Sequence, residues 1–128
     1  MRSLNLVPKP QKISILEGFF EHVLIENVNF EPFLDDRIFK ELKKINICIK
    51  KTESFDVPLL FELDQSLTEE QYKIQINPKQ IIVVASTLKG AFYAIKTLQQ
   101  ILKEDKIPCM EIDDYPDLKL RGVMLDIS

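Results

Sequence analysis

The chain has 128 residues, of which 45% are hydrophobic and 29% are charged, and its formal net charge is −3. This composition is typical of one globular domain that is large enough to bury a core. There is no long basic run for nucleic acid, no apolar run that could span a membrane, and no apolar signal segment at the start. We therefore expect neither nucleic acid nor a membrane as a partner. Localisation is unknown from the sequence, and is expected to be cytoplasmic if Met1 is the native start.

The first part of the chain has the alternation of apolar and polar residues that is typical of strands. Residues 12–16 and residues 19–26 are predicted to be strands. Glu17 and Gly18 are predicted to form the turn between them.

A helix is predicted next, because Pro32 can occupy the first helical position. Its apolar residues recur at helical spacing, at Leu34, Ile38, Leu42 and Ile45. The helix leads into an alternating strand at residues 45–51. Residues 59–63 are predicted to form a short edge strand.

The following stretch predicts a hairpin, with strands at residues 72–76 and 81–85 joined by a turn that contains Pro78. A further strand is predicted at residues 107–112. The chain leaves this strand through the segment Asp113-Asp114-Tyr115-Pro116.

The most strongly patterned helix is predicted at residues 86–102, directly after the hairpin. Ser86 or Thr87 can cap its first turn, and Leu88 begins the broad apolar stripe. Gly90 lies inside this helix, where glycine costs up to ~1 kcal/mol relative to alanine. We therefore predict that Gly90 is a contact point with a neighbouring strand.

These elements follow one another in the order β-β-α-β-β-β-β-α-β. Hairpins combined with two helices predict an α+β fold, with a mostly antiparallel sheet and both helices packed on one face.

The last residues depart from this pattern. Val123, Met124, Leu125 and Ile127 form a nearly continuous apolar run, which is typical of a strand buried on both faces. The chain stops inside this run, and we therefore expect the sequence to be truncated.

Few residues are candidates for chemistry. The single histidine, His22, is expected to be structural, and the two cysteines, Cys48 and Cys109, are expected to be buried free thiols. A disulfide remains open only if their strands are neighbours. No cysteine or histidine cluster predicts a metal site, and three glycines are too few for a phosphate-binding loop.

Three acidic doublets invite comparison with a carboxylate pair of a glycosidase. Asp35-Asp36 is explained by the charge preference of a helix N-terminus. Glu69-Glu70 is expected in a solvated loop, and Asp113-Asp114 in a turn. Adjacent side chains also diverge on a strand, so we interpret all three doublets as structural.

Four segments together resemble the family 20 glycoside hydrolases, the β-N-acetylhexosaminidases. These are LVPKPQKI at residues 6–13, YKIQINPKQIIVVAS at 72–86, LKGAFYAIKTLQQIL at 88–102 and IDDYPDLKLRGVMLDIS at 112–128. The likeness covers most of the chain and is weakest between residues 31 and 68.

The resemblance implies that residues 1–119 are an N-terminal α+β accessory domain. It implies that residues 120–128 are a stub of the first strand of a catalytic (β/α)₈ barrel. The longer protein would hydrolyse terminal N-acetylhexosamine residues by substrate-assisted catalysis, which needs no cofactor. The family's aspartate–glutamate pair has no counterpart here, and its sugar-binding arginine would follow Ser128. No catalytic, substrate-binding or metal residue is therefore assigned, and Asp126 is expected to be barrel scaffolding.

The partners implied are the barrel of the same longer chain and, through it, a carbohydrate. Residues 121–128 are expected either to fray or to self-associate when the barrel does not cover them. One alternative is the N-terminal domain of a related glycosidase, either family 84 (O-GlcNAcase-like) or an α-glucuronidase. Another is a free-standing carbohydrate-binding or protein-interaction module.

Overall fold

The computed structural model describes residues 12–21, 25–104 and 106–115. Within these ranges the chain forms seven strands and two α-helices in the predicted order. The strands are β1 (Lys12–Phe19), β2 (Asn27–Asn29), β3 (Lys50–Lys51), β4 (Leu59–Leu63), β5 (Tyr72–Ile76), β6 (Ile81–Ala85) and β7 (Pro108–Asp114). The helices are α1 (Asp36–Lys43) and α2 (Leu88–Ile101). None of the helices in the described residues is both long and apolar enough to cross a membrane.

The described strands form one mixed sheet in the order β1-β7-β5-β6-β4-β2-β3. The pairings β1–β7, β5–β7 and β5–β6 are antiparallel, whereas β4–β6, β2–β4 and β2–β3 are parallel. The α+β class is thus confirmed. The predicted antiparallel character holds for one half of the sheet only. Parallel strands need long connections, and α1 lies within the connection from β2 to β3.

One face of the sheet carries the core. Residues that pair across antiparallel strands share a face, so Ile74 of β5 lies beside Val83 of β6 and Ile112 of β7, and all three are buried. Helix α2 packs on β5 and β6, and α1 packs against α2. Leu98 of α2 and Leu42 of α1 are fully buried in the same cluster. Both helices therefore cover one face, as predicted.

The hairpin and the second helix are confirmed almost residue for residue. Thr87 caps α2, because its side-chain oxygen accepts a hydrogen bond from the Gly90 amide at 3.1 Å. A Cβ atom at Gly90 would lie only 2.6 Å from the carbonyl oxygen of Gln71. It would also lie 3.3 Å from the Cβ of Ala85 in β6. The predicted close contact with a neighbouring strand is therefore confirmed, and the loop that precedes β5 is a second, closer partner.

The predicted turn at Glu17 and Gly18 is wrong, since β1 continues through both residues to Phe19. The register with β7 shifts between Ile15 and Phe19, and Gly18 adopts a φ of +94°, which glycine tolerates without a steric penalty. The chain therefore bends by a bulge. The next described strand is β2, at residues 27–29, rather than a strand at residues 19–26; residues 22–24 lie outside the described residues.

The first helix begins later than predicted. Pro32 lies in a short 3₁₀ turn, Glu31–Phe33, and Leu34 is extended with a ψ of 108°. The Asp35 side chain then caps α1 by accepting a hydrogen bond from the Arg37 amide at 2.8 Å. The cap at Asp35 thus decides where this helix begins, and Leu34 is left 49% exposed.

The strand predicted at residues 45–51 is reduced to Lys50–Lys51. The Asn46 side chain accepts a hydrogen bond from the Cys48 amide at 3.1 Å and donates one to the Ile25 carbonyl at 3.0 Å. These bonds hold a turn, so Ile47 is 80% exposed. Strand β4 forms at the predicted residues, but it lies between β6 and β2 rather than at an edge.

Candidate functional site

The Asp113-Asp114 doublet does not form a carboxylate pair. Both residues end β7, and their side chains lie on opposite faces of the sheet. Asp113 accepts a hydrogen bond from the Gln71 side chain at 3.0 Å. Asp114 lies directly opposite Tyr72 in the β5–β7 ladder. The divergence expected of neighbouring strand residues is confirmed, although the two lie in a strand and not in a turn.

The other two doublets have the structural roles predicted for them. Asp35 caps α1, and hydrogen bonds from the Arg37 side chain and amide lower the pKa of the Asp35 carboxyl. Glu69 and Glu70 lie in the loop before β5. Lys89 at the start of α2 is 3.2 Å from Glu70 and 4.0 Å from Glu69. These carboxylates lie at the starts of the two helices, where Asp35 caps α1 and Glu69 and Glu70 lie beside Lys89 of α2.

The remaining candidate residues do not form a site among the residues that the structure describes. Cys109 is buried as predicted, and burial raises the pKa of its thiol, with a further contribution from the Glu21 carboxylate. The prediction for Cys48 is wrong, because this thiol is exposed on the turn after α1. No group of three metal-ligating side chains occurs in the described ranges. His22 and Asp126 lie outside them.

The open face of the sheet, opposite the helices, is polar. It carries a shallow depression of about 390 Å³ whose polar lining residues are Lys12, Ser14, Lys73, Gln75, Glu111 and Asp113. The Gln75 side chain donates a hydrogen bond to Glu111 at 3.2 Å. Among the described residues, no aromatic side chain lines this depression.

The helix layer carries an apolar groove of about 490 Å³, which we call the interhelix groove. It lies between the first turns of α1 and α2, and its apolar lining residues are Ile38, Leu88, Phe92 and Tyr93. Arg37 and Lys89 add charge beside them. Its apolar side chains are open to solvent between the two helices, which makes the groove a candidate interface.

Further exposed apolar side chains lie at one end of the sheet. Strands β2, β4 and β6 are parallel, and β7 runs in the same direction because both β6 and β7 are antiparallel to β5. The carboxyl ends of these four strands and the N-termini of both helices therefore share one end, which we call the exit end. Leu34, Leu63, Leu88 and Tyr115 lie there and are 49%, 49%, 37% and 37% exposed.

The sequence did not predict that the apolar side chains of this surface are exposed. Leu34 and Leu88 fall on the apolar stripes of the two helices and were therefore expected in the core. Leu34 lies before the Asp35 cap of α1 and Leu88 is the first residue of α2, and both side chains are exposed. Periodicity reveals that a residue faces the core side, but not whether another element lies there.

The sequence matches a family model and several curated proteins. The family model described as glycosyl hydrolase family 20, domain 2, matches residues 3–115. A β-hexosaminidase of Vibrio furnissii is 27% identical over 133 aligned residues, which cover 98% of this chain and 22% of that protein. The chain thus spans about a fifth of the length of this curated relative.

Solved structures show the same fold. A β-N-acetylhexosaminidase from Bacteroides fragilis superposes with a TM-score of 0.75 at 24% identity, covering 90% of this chain and 25% of that one. CpGH84D superposes with a TM-score of 0.67 at 19% identity, covering 88% of this chain and 24% of that one. Identities this low show the fold alone. The family model covers most of the chain, however, and the chain therefore belongs to glycosyl hydrolase family 20, domain 2.

Proposed function

We propose that this chain is the accessory N-terminal domain of a β-N-acetylhexosaminidase. The observation that carries the proposal is the family match over residues 3–115, together with β-hexosaminidases that align with 96% or more of the chain. The longer protein would remove terminal N-acetylhexosamine residues by substrate-assisted catalysis. The domain itself would contribute support and no catalytic, substrate-binding or metal residue.

In this proposal residues 1–119 are the accessory domain and residues 120–128 begin the catalytic (β/α)₈ barrel. The boundary is supported by the last described strand, which ends at Asp114, and by the family match, which ends at residue 115. The barrel is the partner of the domain, and the carbohydrate substrate binds to the barrel. The polar, non-aromatic open face of the sheet supports assigning sugar contact to the barrel.

The barrel would dock on the interhelix groove and the exit end. Both surfaces carry apolar side chains that the described domain leaves exposed, including Leu34, Leu88 and Tyr93. The chain also leaves the sheet at this end, after Tyr115. A domain that follows would therefore begin beside this exposed apolar surface. Burying the surface would stabilise the longer protein by roughly 25 cal/mol for each Å² of apolar area.

The alternative of a family 84 glycosidase rests on fold similarity to CpGH84D. At 19% identity that similarity shows the fold alone and does not separate the two families. The family model and the curated relatives favour family 20.

The activity assignment is tested with a chromogenic N-acetylglucosaminide. The 128-residue chain should give no turnover above the buffer blank, whereas a longer protein that carries the chain with its barrel should hydrolyse the substrate. Turnover by the isolated chain after repurification, or none by the longer protein, would contradict the proposal.

The docking surface is tested with Leu88→Glu and Tyr93→Glu. Both side chains are partly exposed, so each variant should melt close to the parent in the 128-residue chain. In the barrel-bearing protein both should lower the melting temperature, because a carboxylate would be buried at the interface. Ile47→Glu is the matched control, since Ile47 is 80% exposed and lies away from the groove. Equal effects of all three variants would refute the assignment.

Self-association of the isolated chain through residues 121–128 is part of the same proposal. An apolar strand that lacks its barrel neighbours is a template for pairing with another copy.

A further inference from the structure

A second apolar groove, of about 470 Å³, lies where the 3₁₀ turn after β2, the loop before β4 and the end of β4 meet. Leu63 belongs both to this groove and to the exit end, so the two surfaces are continuous. We call it the β4 groove. Its apolar lining residues are Pro32, Phe55, Phe61 and Leu63.

The β4 groove has a buried floor and an exposed wall. Phe61 is 1% exposed and packs edge-on against the buried ring of Phe33, with 6.3 Å between the ring centroids. Phe55 is 76% exposed and Leu63 is 49% exposed. Aromatic side chains are enriched at the centres of protein interfaces. An exposed ring beside a fixed apolar floor is therefore a place where a side chain of a partner can be anchored.

Hydrogen bonds hold both walls of the groove in place. Asn29, which is 2% exposed, accepts a hydrogen bond from the Glu31 amide at 3.1 Å and donates one to the Ser54 carbonyl at 2.9 Å. The Gln80 side chain donates to the Phe55 carbonyl at 2.8 Å. The turn and the loop are thus tied to each other and to the hairpin. A partner that binds here has little ordering to pay for, which favours binding.

The charged side chains that line the β4 groove are all acidic. They belong to Glu31, Glu53 and Glu62, and no basic side chain of the described residues is among the lining. The carboxylates at the helix starts differ, because Asp35 is paired with Arg37 and Glu70 with Lys89. No ion pair within the described residues neutralises the three glutamates of the groove. The groove is therefore complementary to a cationic side chain that carries an apolar stem.

We propose that the β4 groove receives an arginine side chain from the surface of the domain that follows. A guanidinium group stacks on an aromatic ring and donates paired hydrogen bonds to a carboxylate. The groove offers both partners, since the Phe55 ring and three carboxylates line it. A lysine would match the charge but not the planar shape. Arginine is also enriched among the residues that contribute most to binding at interfaces.

The position of the groove fits a contact of this kind. In the sheet, β4 is separated from β7 by β6 and β5. Three strand spacings correspond to about 14 Å. A domain that covers the exit end therefore reaches both the last described strand and the β4 groove. This step rests on the proposed function, because it takes the docking of a barrel on the exit end from there.

The test maps arginine reactivity in the barrel-bearing protein with phenylglyoxal, which modifies accessible arginines, followed by peptide mass analysis. In the parent, one arginine beyond residue 128 should be protected. Phe55→Ala should make the same arginine react about tenfold faster, because the stacking contact is lost. Glu53→Gln should also increase its reactivity. Phe55→Trp should preserve the protection, since indole also stacks on a guanidinium. Ile47→Ala is the control and should change nothing, because Ile47 is 80% exposed and lies outside the groove.

The same variants in the 128-residue chain exclude misfolding as the cause. Phe55 and Glu53 are exposed, so both variants should melt close to the parent there. An unchanged arginine pattern in Phe55→Ala and Glu53→Gln would overturn the proposal. A change at Arg2 or Arg121 instead would also overturn it, since the occupant would then be a segment of this chain. If Leu88→Glu still lowers the melting temperature of the longer protein, the docking surface stands and only the arginine assignment is wrong. The hexosaminidase assay tests the proposed function separately.

Discussion

Lys96 of α2 and Glu41 of α1 form an ion pair with a distance of 2.9 Å between the ammonium nitrogen and a carboxylate oxygen. The Glu41 side chain is only 12% exposed, and it also accepts hydrogen bonds from Lys44 at 3.1 Å and from Gln99 at 3.0 Å. Gln99 additionally donates to the Glu41 carbonyl oxygen at 2.9 Å. One carboxylate therefore joins the two helices that line the interhelix groove.

Glu41→Gln should destabilise the domain by about 1–3 kcal/mol at pH 7, the usual contribution of hydrogen bonds to a charged group that is partly buried. The variant leaves Lys96 without its counter-charge. Urea denaturation measures the loss. Glu53→Gln, at an exposed position in the loop before β4, is the matched control and should change the free energy of unfolding very little.

The same pair should make stability depend on pH in the acid range. Burial raises the pKa of the Glu41 carboxyl, but hydrogen bonds from Lys96, Gln99 and Lys44 outweigh burial and lower it from 4.5 to about 2. A lowered folded-state pKa stabilises above the unfolded value, and this stabilisation is lost as the pH falls from about 4.5 towards 2. The stability difference between the parent and Glu41→Gln should therefore shrink over that range. A difference that stays constant down to pH 2 would contradict this assignment.

Gly90→Ala should destabilise the domain, although alanine favours a helix by up to ~1 kcal/mol over glycine. The new Cβ would lie 2.6 Å from the Gln71 carbonyl oxygen and 3.3 Å from the Ala85 Cβ. Neither backbone can move without disturbing the hairpin or the helix start, so we expect a net loss of about 1–3 kcal/mol, typical of overpacking. Thermal unfolding measures it. A variant that is more stable than the parent would show that the loop before β5 yields easily.

The two thiols should differ in reactivity. Cys48 is exposed, whereas Cys109 is 2% exposed and burial raises the pKa of its thiol, which reduces the thiolate fraction at neutral pH. Titration with a disulfide reagent should modify one thiol per folded chain and two in denaturant. Cys48→Ser should abolish the fast phase. Fast modification of that variant would show that the bulge at Gly18 opens to expose Cys109.

Local chemistry made part of this fold predictable from the sequence. The hairpin of β5 and β6 occurs at the predicted residues, because the strict alternation of β5 and the Asn-Pro turn depend on neighbours in sequence. Helix α2 begins after Thr87, one of the two residues predicted to cap it, for the same reason. The direction of pairing between β4 and β6 could not be predicted, since it depends on residues far apart in the chain.

Errors arose where a polar side chain competes with the hydrophobic pattern. Asn46 holds a turn that interrupts the predicted strand, and the Asp35 cap delays α1 beyond Pro32. The exposure of the apolar residues on the candidate docking surface was not predicted, for a different reason. The exposure of Leu34 and Leu88 depends on which element covers the start of each helix, and periodicity does not contain that information.

Deleting residues 120–128 should leave the stability of the monomer nearly unchanged and reduce any self-association. In the described structure β7 already has a neighbour on each side, β1 and β5, and the core cluster is formed by residues no later than Ile112. On the proposed boundary, the deleted residues belong to the barrel and contribute no contact to this core. We expect the melting temperature to change by less than about 4 °C, the shift that corresponds to ~1 kcal/mol in a domain of this size. Sedimentation velocity, compared before and after the deletion, measures self-association. Dilution to the monomeric range separates the change in monomer stability from the change in self-association.

A loss of several kcal/mol under monomeric conditions would place the tail in the domain's own core, and the assignment of residues 120–128 to a barrel strand would then be wrong.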